Sequence, residues 1–248
     1  MITASLNQAQ FLERAILSVL DQDYPDVEYI VVDGGSSDGS VEILERYDSR
    51  IARWVSEPDR GQAHAINKGL SWTTGDLVGY INSDDYYLPG MLRQAATLAE
   101  PQSVRWCAGR CRYENADGTL DHLNVPSAPH MPRRRLVHET WYVPQASSIW
   151  KRDVFDEVGL LREDLHYVFD LEFGLRCALR GIVPTLTDET WAVRYLHGDA
   201  KSADPAPFAA ETKRIVQELD AEYLTRLDVV PDVLYRTRRR LRRERIPR

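Results

Sequence analysis

Tyr29-Ile30-Val31-Val32, followed directly by Asp33-Gly34-Gly35-Ser36-Ser37-Asp38-Gly39-Ser40, is the stretch that decides the fold class. Four apolar residues without alternation read as a strand covered on both faces, the habit of parallel sheets with helices packed above and below. The small polar residues after them permit a tight turn, and Ser36 or Asp38 is placed to cap a helix over Val41 to Tyr47. Upstream, Phe11, Leu12, Ala15, Ile16 and Val19 recur at helical spacing and predict a helix over residues 9 to 21. Downstream, Trp54-Val55-Ser56 reads as a third strand, and Gln62 to Trp72 as a helix after the turn Pro58-Asp59-Arg60-Gly61. Leu77 to Ile81 reads as a fourth strand that runs into Asn82-Ser83-Asp84-Asp85, and Pro89 is expected to open the next helix at its first position. Repetition of strand, Gly/Asp/Ser turn and amphipathic helix is the βαβ pattern, so the expected class is α/β with a Rossmann-like, mostly parallel central sheet flanked by helices.

Beyond residue 100 the pattern changes. Val104 to Tyr113 and Leu120 to Leu123 flank Asp117-Gly118 and predict a hairpin. Val125 to His138, with three prolines and three consecutive arginines, reads as a mobile loop. Gln145 to Trp150 is expected as a strand, Lys151 to Val158 as a helix, and Phe169 to Arg180 as a helix with Leu171, Leu175 and Leu179 inward. Ile182 to Leu186 and Trp191 to Leu196 read as closing strands.

The 248 residues accommodate one large domain with a small appendage. A 43% hydrophobic and 28% charged composition is ordinary globular usage, which excludes a membrane-embedded body or a disordered chain. No run approaches the length of a membrane span, and the start lacks the basic and apolar segments of a signal peptide, so a cytoplasmic enzyme is expected. Cys107, Cys111 and Cys177 have no zinc-site spacing and are expected to be reduced. From Pro231 onward eight arginines face only Asp232 and Glu244; that end carries +6 and the remaining chain −13. An acidic body is not a nucleic-acid binder. The arginine-rich end reads either as a device for anionic membrane surfaces or as a solvated tail.

In open α/β sheets ligands bind beyond the carboxyl ends of the strands. Asp33, Asp59 and Asp84-Asp85 all fall at that edge. Adjacent carboxylates suit Mg²⁺ or Mn²⁺ that completes its shell with water and phosphate oxygens, although a bare Asp-Asp also describes a solvated turn capping the next helix.

Taken together, Thr3 to Gln8, Val31 to Ser40, Glu57 to Gln62, Ala65 to Gly69 and Asn82 to Asp85 resemble glycosyltransferase family two, the inverting enzymes with the GT-A fold. The likeness runs in order through about the first 95 residues and resumes from about Pro144 to Ser202. It implies a catalytic domain over residues 1–203, with a nucleotide-binding half (1–99) and a smaller acceptor-binding half (100–203), and a helical basic extension over 204–248. It implies a nucleotide-sugar donor, UDP-linked by preference, and a saccharide or lipid-linked acceptor in surface polysaccharide or glycolipid synthesis. By the same likeness Thr3, Ser5, Asn7, Asp33, Asp59, Arg60, Asn67 and Asp84 line the nucleotide site. Asp85 and His197 hold Mn²⁺ or Mg²⁺, Gln145 lies beside the acceptor, and Asp170 is the base.

Structural alternatives stand beside these roles: Asp33 as a turn stabiliser, Arg60 as a solvated loop residue, Asp170 as a helix cap, His197 as a packed ring. Glu172, two residues past Asp170, faces another side of the helix. Two features depart from the family pattern: only Met1-Ile2 precede Thr3 in the first strand, and His64 stands where acidic residues are common. The rival classes are a nucleotidyltransferase, which needs a basic Gly-rich loop where this chain has the acidic Asp33 to Ser40 turn, and a non-catalytic nucleotide-sugar-binding module, which needs no base.

Overall fold

The computed structural model describes residues 1–126, 143–198, 201 and 205–223. Its strands are β1 (Ile2–Ser5), β2 (Ile30–Asp33), β3 (Arg53–Ser56), β4 (Leu77–Val78), β5 (Tyr80–Asn82), β6 (Tyr86–Tyr87), β7 (Trp106–Asn115), β8 (Leu120–Asn124), β9 (Ser148–Lys151) and β10 (Thr185–Leu196). The helices are α1 (Ala9–Leu20), α2 (Ser40–Arg46), α3 (Gln62–Leu70), α4 (Met91–Ala99), α5 (Asp153–Val158), α6 (Phe169–Leu179) and α7 (Pro205–Tyr223).

The α/β class and its parallel sheet are as expected. One sheet is wholly parallel in the order β3-β2-β1-β5, with Ile2 opposite both Ile30 and Tyr80. Every residue of β1 and β2 is buried. Ile2, Ala4, Ile30 and Val32 face one core with α3, whereas Tyr29 and Val31 face a second core with Leu12, Ile16 and Val19 of α1. Gly69 lets α3 lie directly on β1, because a methyl group there would come within 2.7 Å of Ile2 Cγ2.

A second, mixed sheet runs β4-β9-β7-β10-β6, with β8 paired to β7. The single strand read over Leu77 to Ile81 is in fact divided between the two sheets: β4 lies antiparallel on β9, and β5 lies parallel on β1. Gly79 occupies the break, where any side chain would collide with Ile149 and Met1. The Asp117-Gly118 hairpin forms as read, joining β7 and β8. The two closing strands merge into one, β10, which tolerates Thr187-Asp188-Glu189 by an irregularity between Leu186 and Ala192. Residues 145 to 147 form a 3₁₀ turn before β9.

Helix starts were the least legible. Pro89 lies two residues before α4, whose N-terminal boundary is Gly90 in a left-handed conformation (φ 81°). Asp38 does serve the start of α2, but through Ser40: its Oδ1 accepts from Ser40 N and Ser40 Oγ (3.1 and 2.6 Å), while Oδ2 accepts from Ala9 N of α1 at 2.8 Å. One carboxylate thereby ties two helix starts together.

Helix α7 is no separate appendage. Its Ile215 and Leu219 are buried in the α3 core, a contribution of about 1.5–3 kcal/mol each. Arg214 pairs with Asp164, and Glu218 accepts from Arg162 Nη1 at 2.5 Å. The mobile-loop reading falls, from residue 127 on, outside the described residues, as does the arginine-rich end. All three cysteines are free and buried, and none of the described helices is long and apolar enough to cross a membrane.

Another tight joint is Gly109, where β7 passes under the Trp191 ring of β10: an added methyl group would lie 2.6 Å from Trp191 Cγ and 2.9 Å from Glu189 O. Neither neighbour is the loose end of a chain, so Gly109→Ala is expected to lower stability by about 2–3 kcal/mol in urea unfolding.

Candidate functional site

The carboxyl ends of β1, β2 and β5 form an edge occupied by the turns after Ser5, Asp33 and Asn82. Asp33 ends β2 fully buried. Its Oδ2 accepts from Gly35 N (3.1 Å), Ser36 N (2.8 Å) and Ser56 Oγ (2.6 Å), and its Oδ1 accepts from Ser36 Oγ (2.5 Å). Four donors around one carboxylate are the turn-stabilising alternative realised: Asp33 shapes the Gly34–Ser37 loop from within. Asn7 (φ 52°) joins this loop to β1, its N donating to Ser36 Oγ and its Oδ1 accepting from Ser37 N. Asp59 lies over the loop: a methyl group on Gly34 would sit 2.8 Å from Asp59 Oδ2, and Asp59 Oδ1 accepts from Gly61 N at 2.7 Å. Half-buried, Asp59 is the carboxylate of this corner that still meets solvent.

Three of the residues expected at the nucleotide are engaged elsewhere. Thr3 is fully buried and accepts the Tyr29 hydroxyl at 2.9 Å, so it fills the core. Asn67 is buried in α3; its Oδ1 accepts from Leu161 N (3.0 Å) and its Nδ2 donates to Leu161 O (2.8 Å) and Glu163 Oε1 (3.1 Å), which fastens the 161–163 segment to the sheet. The exposed Arg60 donates to Glu163 Oε2 at 2.5 Å and supports the same segment. Ser5 does reach the edge, and its buried Oγ has no partner among the described residues. Gln145 donates to Tyr80 O, holding the 3₁₀ turn against β5.

At Asn82-Ser83-Asp84-Asp85 the two acidic residues part. Asp85 turns inward, almost wholly buried, with Oδ1 accepting from Tyr195 N of β10 (3.1 Å) and Oδ2 accepting from Asn82 Nδ2 (3.3 Å). Asp84 turns outward, and its Oδ2 lies 3.1 Å from His197 Nε2. The His197 ring packs on Phe11 and Tyr195, and its Nδ1 is buried without a partner. The residue brought to His197 is Asp84, while Asp85, the carboxylate expected to hold the metal, accepts from the backbone of Tyr195. A carboxylate and an imidazole facing each other, one ring nitrogen left over, fit a divalent cation that takes its remaining ligands from phosphate and water. Among the described residues no third acidic, imidazole or thiol group joins them.

Asp170 stands in the first turn of α6, with Leu171, Leu175 and Leu179 buried as predicted. The boundary residue Val168 offers no side-chain cap, but Asp170 Oδ1 accepts from Leu171 N at 2.8 Å and so serves one free amide of the first turn, while the N–H groups of His166, Tyr167 and Val168 go to Glu211 of α7. Burial raises the Asp170 carboxyl above its ordinary value, and the Arg194 guanidinium opposes that rise. Arg194 also lies 3.9 Å from Asp85 Oδ2, so one half-buried cation serves the carboxylates at both ends of the site. Glu172 is buried against Arg176 (2.8 Å) and belongs to the core.

Several participants escaped the sequence reading. Arg14 of α1 lies between the Tyr86 and Tyr195 rings (4.4 and 4.6 Å) and donates to Asp84 O at 3.3 Å. Gln62 bridges Asn82 Oδ1 (2.5 Å) and Lys201 Nζ (3.3 Å), and Lys201 faces the charges of Asp59 and Asp84. Their spacing along the chain carries no signal, because each acts across more than 15 residues.

Residues 1–159 match the family model described as Glycosyl transferase family 2. An uncharacterized glycosyltransferase of Mycobacterium tuberculosis is 33% identical over 184 residues, covering 72% of this chain and 68% of the relative. TuaG of Bacillus subtilis, named for teichuronic acid biosynthesis, is 41% identical over 122 residues, 48% of each chain. Among solved structures, Staphylococcus aureus TarS 1-349 in complex with UDP-GlcNAc superposes with a TM-score of 0.69 at 18% identity, over 94% of this chain and 68% of that one. A Pyrobaculum calidifontis mannosyltransferase with GDP-Man and Mn²⁺ gives 0.59 at 18% identity, over 97% and 79%. These likenesses place the chain in the GT-A fold; Asp170 and His197 lie beyond the residues matched by the family model.

Burial, reinforced by the neighbouring Asp84, raises the Asp85 carboxyl to about 7. The folded chain thus keeps a proton that the unfolded chain releases from about pH 4 upward, so stability falls as pH rises through this window. Asp85→Asn keeps the acceptor for Tyr195 and removes the charge. In chelator, it is expected to gain about 2–3 kcal/mol over the parent between about pH 4 and pH 8, read as the change in their stability difference. A pH-independent difference would contradict it.

Proposed function

Given that this chain belongs to glycosyl transferase family 2, we propose that it moves a sugar from a UDP-linked donor to a hydroxyl of a saccharide or lipid-linked acceptor, with inversion at the anomeric carbon. The observation that carries this reading is the meeting of Asp84 and His197 beyond the carboxyl end of β5. Asp84 and His197 would hold a divalent cation, Mn²⁺ in preference to Mg²⁺ given the imidazole, which when bound would supply positive charge against the negative charge developing on the departing diphosphate. Asp59, above Gly34, takes the nucleoside end, Ser5 Oγ offers a free hydroxyl at the same edge, and Lys201 adds a cation on the phosphate side.

Asp170 removes the acceptor proton. In-line attack needs a base on the sugar face opposite the diphosphate, and a carboxylate whose affinity for protons is raised by burial is a stronger base than one in water. The hydrogen bond from Leu171 N and the Arg194 guanidinium oppose that rise. The UDP preference is supported by the UDP-GlcNAc bound to TarS, and a place in surface polysaccharide synthesis by the name of TuaG. Neither the nucleotidyltransferase nor the binding-module reading has an observation in its favour.

The test is UDP release from a panel of UDP-sugars with Mn²⁺. The parent is expected to turn over at least one, and Asp170→Asn to bind it with unchanged affinity while kcat falls by about 10²–10⁴. Full activity in the variant would remove Asp170 from the chemistry.

A further inference from the structure

The segment from Leu161 to Val168 delivers Asp170 to the site, and both of its sides are fastened. On the donor side Asn67 closes a two-way amide bond with Leu161, and Arg60 and Asn67 both reach Glu163. On the other side lies α7. Glu211 Oε1 accepts from His166 N (2.9 Å), and Oε2 accepts from Tyr167 N (2.7 Å) and Val168 N (3.2 Å). These three N–H groups precede α6, whose own boundary residue offers no side-chain cap. A carboxylate from a helix some 40 residues away thus holds the turn that leads into α6, just ahead of the first-turn amides that a cap serves; of those, Leu171 N donates to Asp170 Oδ1 itself.

We infer that Glu211 is a positioning residue for Asp170, and that α7 is part of the catalytic apparatus. The inference rests on the reading of Asp170 as the base. Asp170 is two residues past Val168, so release of the three amides frees the first turn of α6 to fray and lets the carboxylate leave its line to the acceptor hydroxyl. Charge-assisted bonds to a carboxylate are roughly twice as strong as neutral ones, and misplacement of about 1 Å is enough to slow a positioned reaction about 10²-fold. On the donor side Asp59, Asp84 and His197 make no bond to Glu211, and Lys201 is the group placed there that faces its charge.

Three full-length variants separate this role from simple docking of α7. Glu211→Ala is expected to speed amide exchange of residues 166–168 at least about tenfold and to lower kcat for UDP release about 10–100-fold, with the donor KM within about twofold. Glu211→Gln keeps one acceptor oxygen and should fall between Ala and the parent. Leu219→Ala loosens the packing of α7 without touching the amides, and should lower the melting temperature while leaving kcat within about twofold. Unchanged exchange at 166–168 in Glu211→Ala would overturn the inference, as would a kcat loss in Leu219→Ala equal to that in Glu211→Ala. If Asp170→Asn is inactive and Glu211→Ala is not, only the role of Glu211 fails; if Asp170→Asn is fully active, the reading of the base fails first.

Discussion

One short segment, Leu77 to Asn82, belongs to two sheets at once, and the rest of the molecule depends on that constraint. Its first half pairs with β9 and its second half with β1, and Gly79 makes the change because nothing larger fits between Ile149 and Met1. Ile2 N donates to Gly79 O, so the break itself is hydrogen-bonded. As a result the chain leaves β5 at the junction of the sheets, and the Asn82–Asp85 turn is pressed between the carboxyl edge of one sheet and β10 of the other.

That position divides the labour of the polar groups. Buried Asp33, Asp85 and Asn67 and half-buried Glu211 hold backbones: Asp33 the loop after β2, Asp85 the amide of Tyr195, Asn67 the segment before α6, Glu211 the three amides ahead of Asp170. Groups left facing the cleft, Asp84 with His197, Asp59, Ser5 and Asp170, are those with chemistry to spare. Burial with four donors makes Asp33 an effective organiser of its loop. Arg194 links the two ends electrostatically, since it faces both Asp85 and Asp170 and keeps neither isolated in the low-dielectric interior.

Much of this was legible in the chain. The unbroken Tyr29 to Val32 run, the helical spacing in α1 and the inward leucines of α6 are local patterns, and they gave the class, the parallel sheet and the edge on which the site lies. What stayed hidden was non-local. No local rule says that Leu77 to Ile81 divides, since β4 and β5 are too short for alternation to show. Thr3 and Asn67 look like ligand-facing polar residues until Tyr29 and Leu161 are found opposite them. The different directions taken by Asp84 and Asp85 are invisible in an Asp-Asp pair; that of Asp85 is set by the amide of Tyr195, 110 residues away. Glu211 sits in a stretch whose spacing shows only a helix.

The central claim is that Asp84 with His197, not Asp85, forms the leaving-group end of the site. Electron paramagnetic resonance of Mn²⁺ titrated into the protein with UDP tests it most directly. Asp84→Asn is expected to weaken Mn²⁺ binding at least about tenfold and Asp85→Asn to leave it within about threefold of the parent; loss of binding in Asp85→Asn with retention in Asp84→Asn would contradict the account.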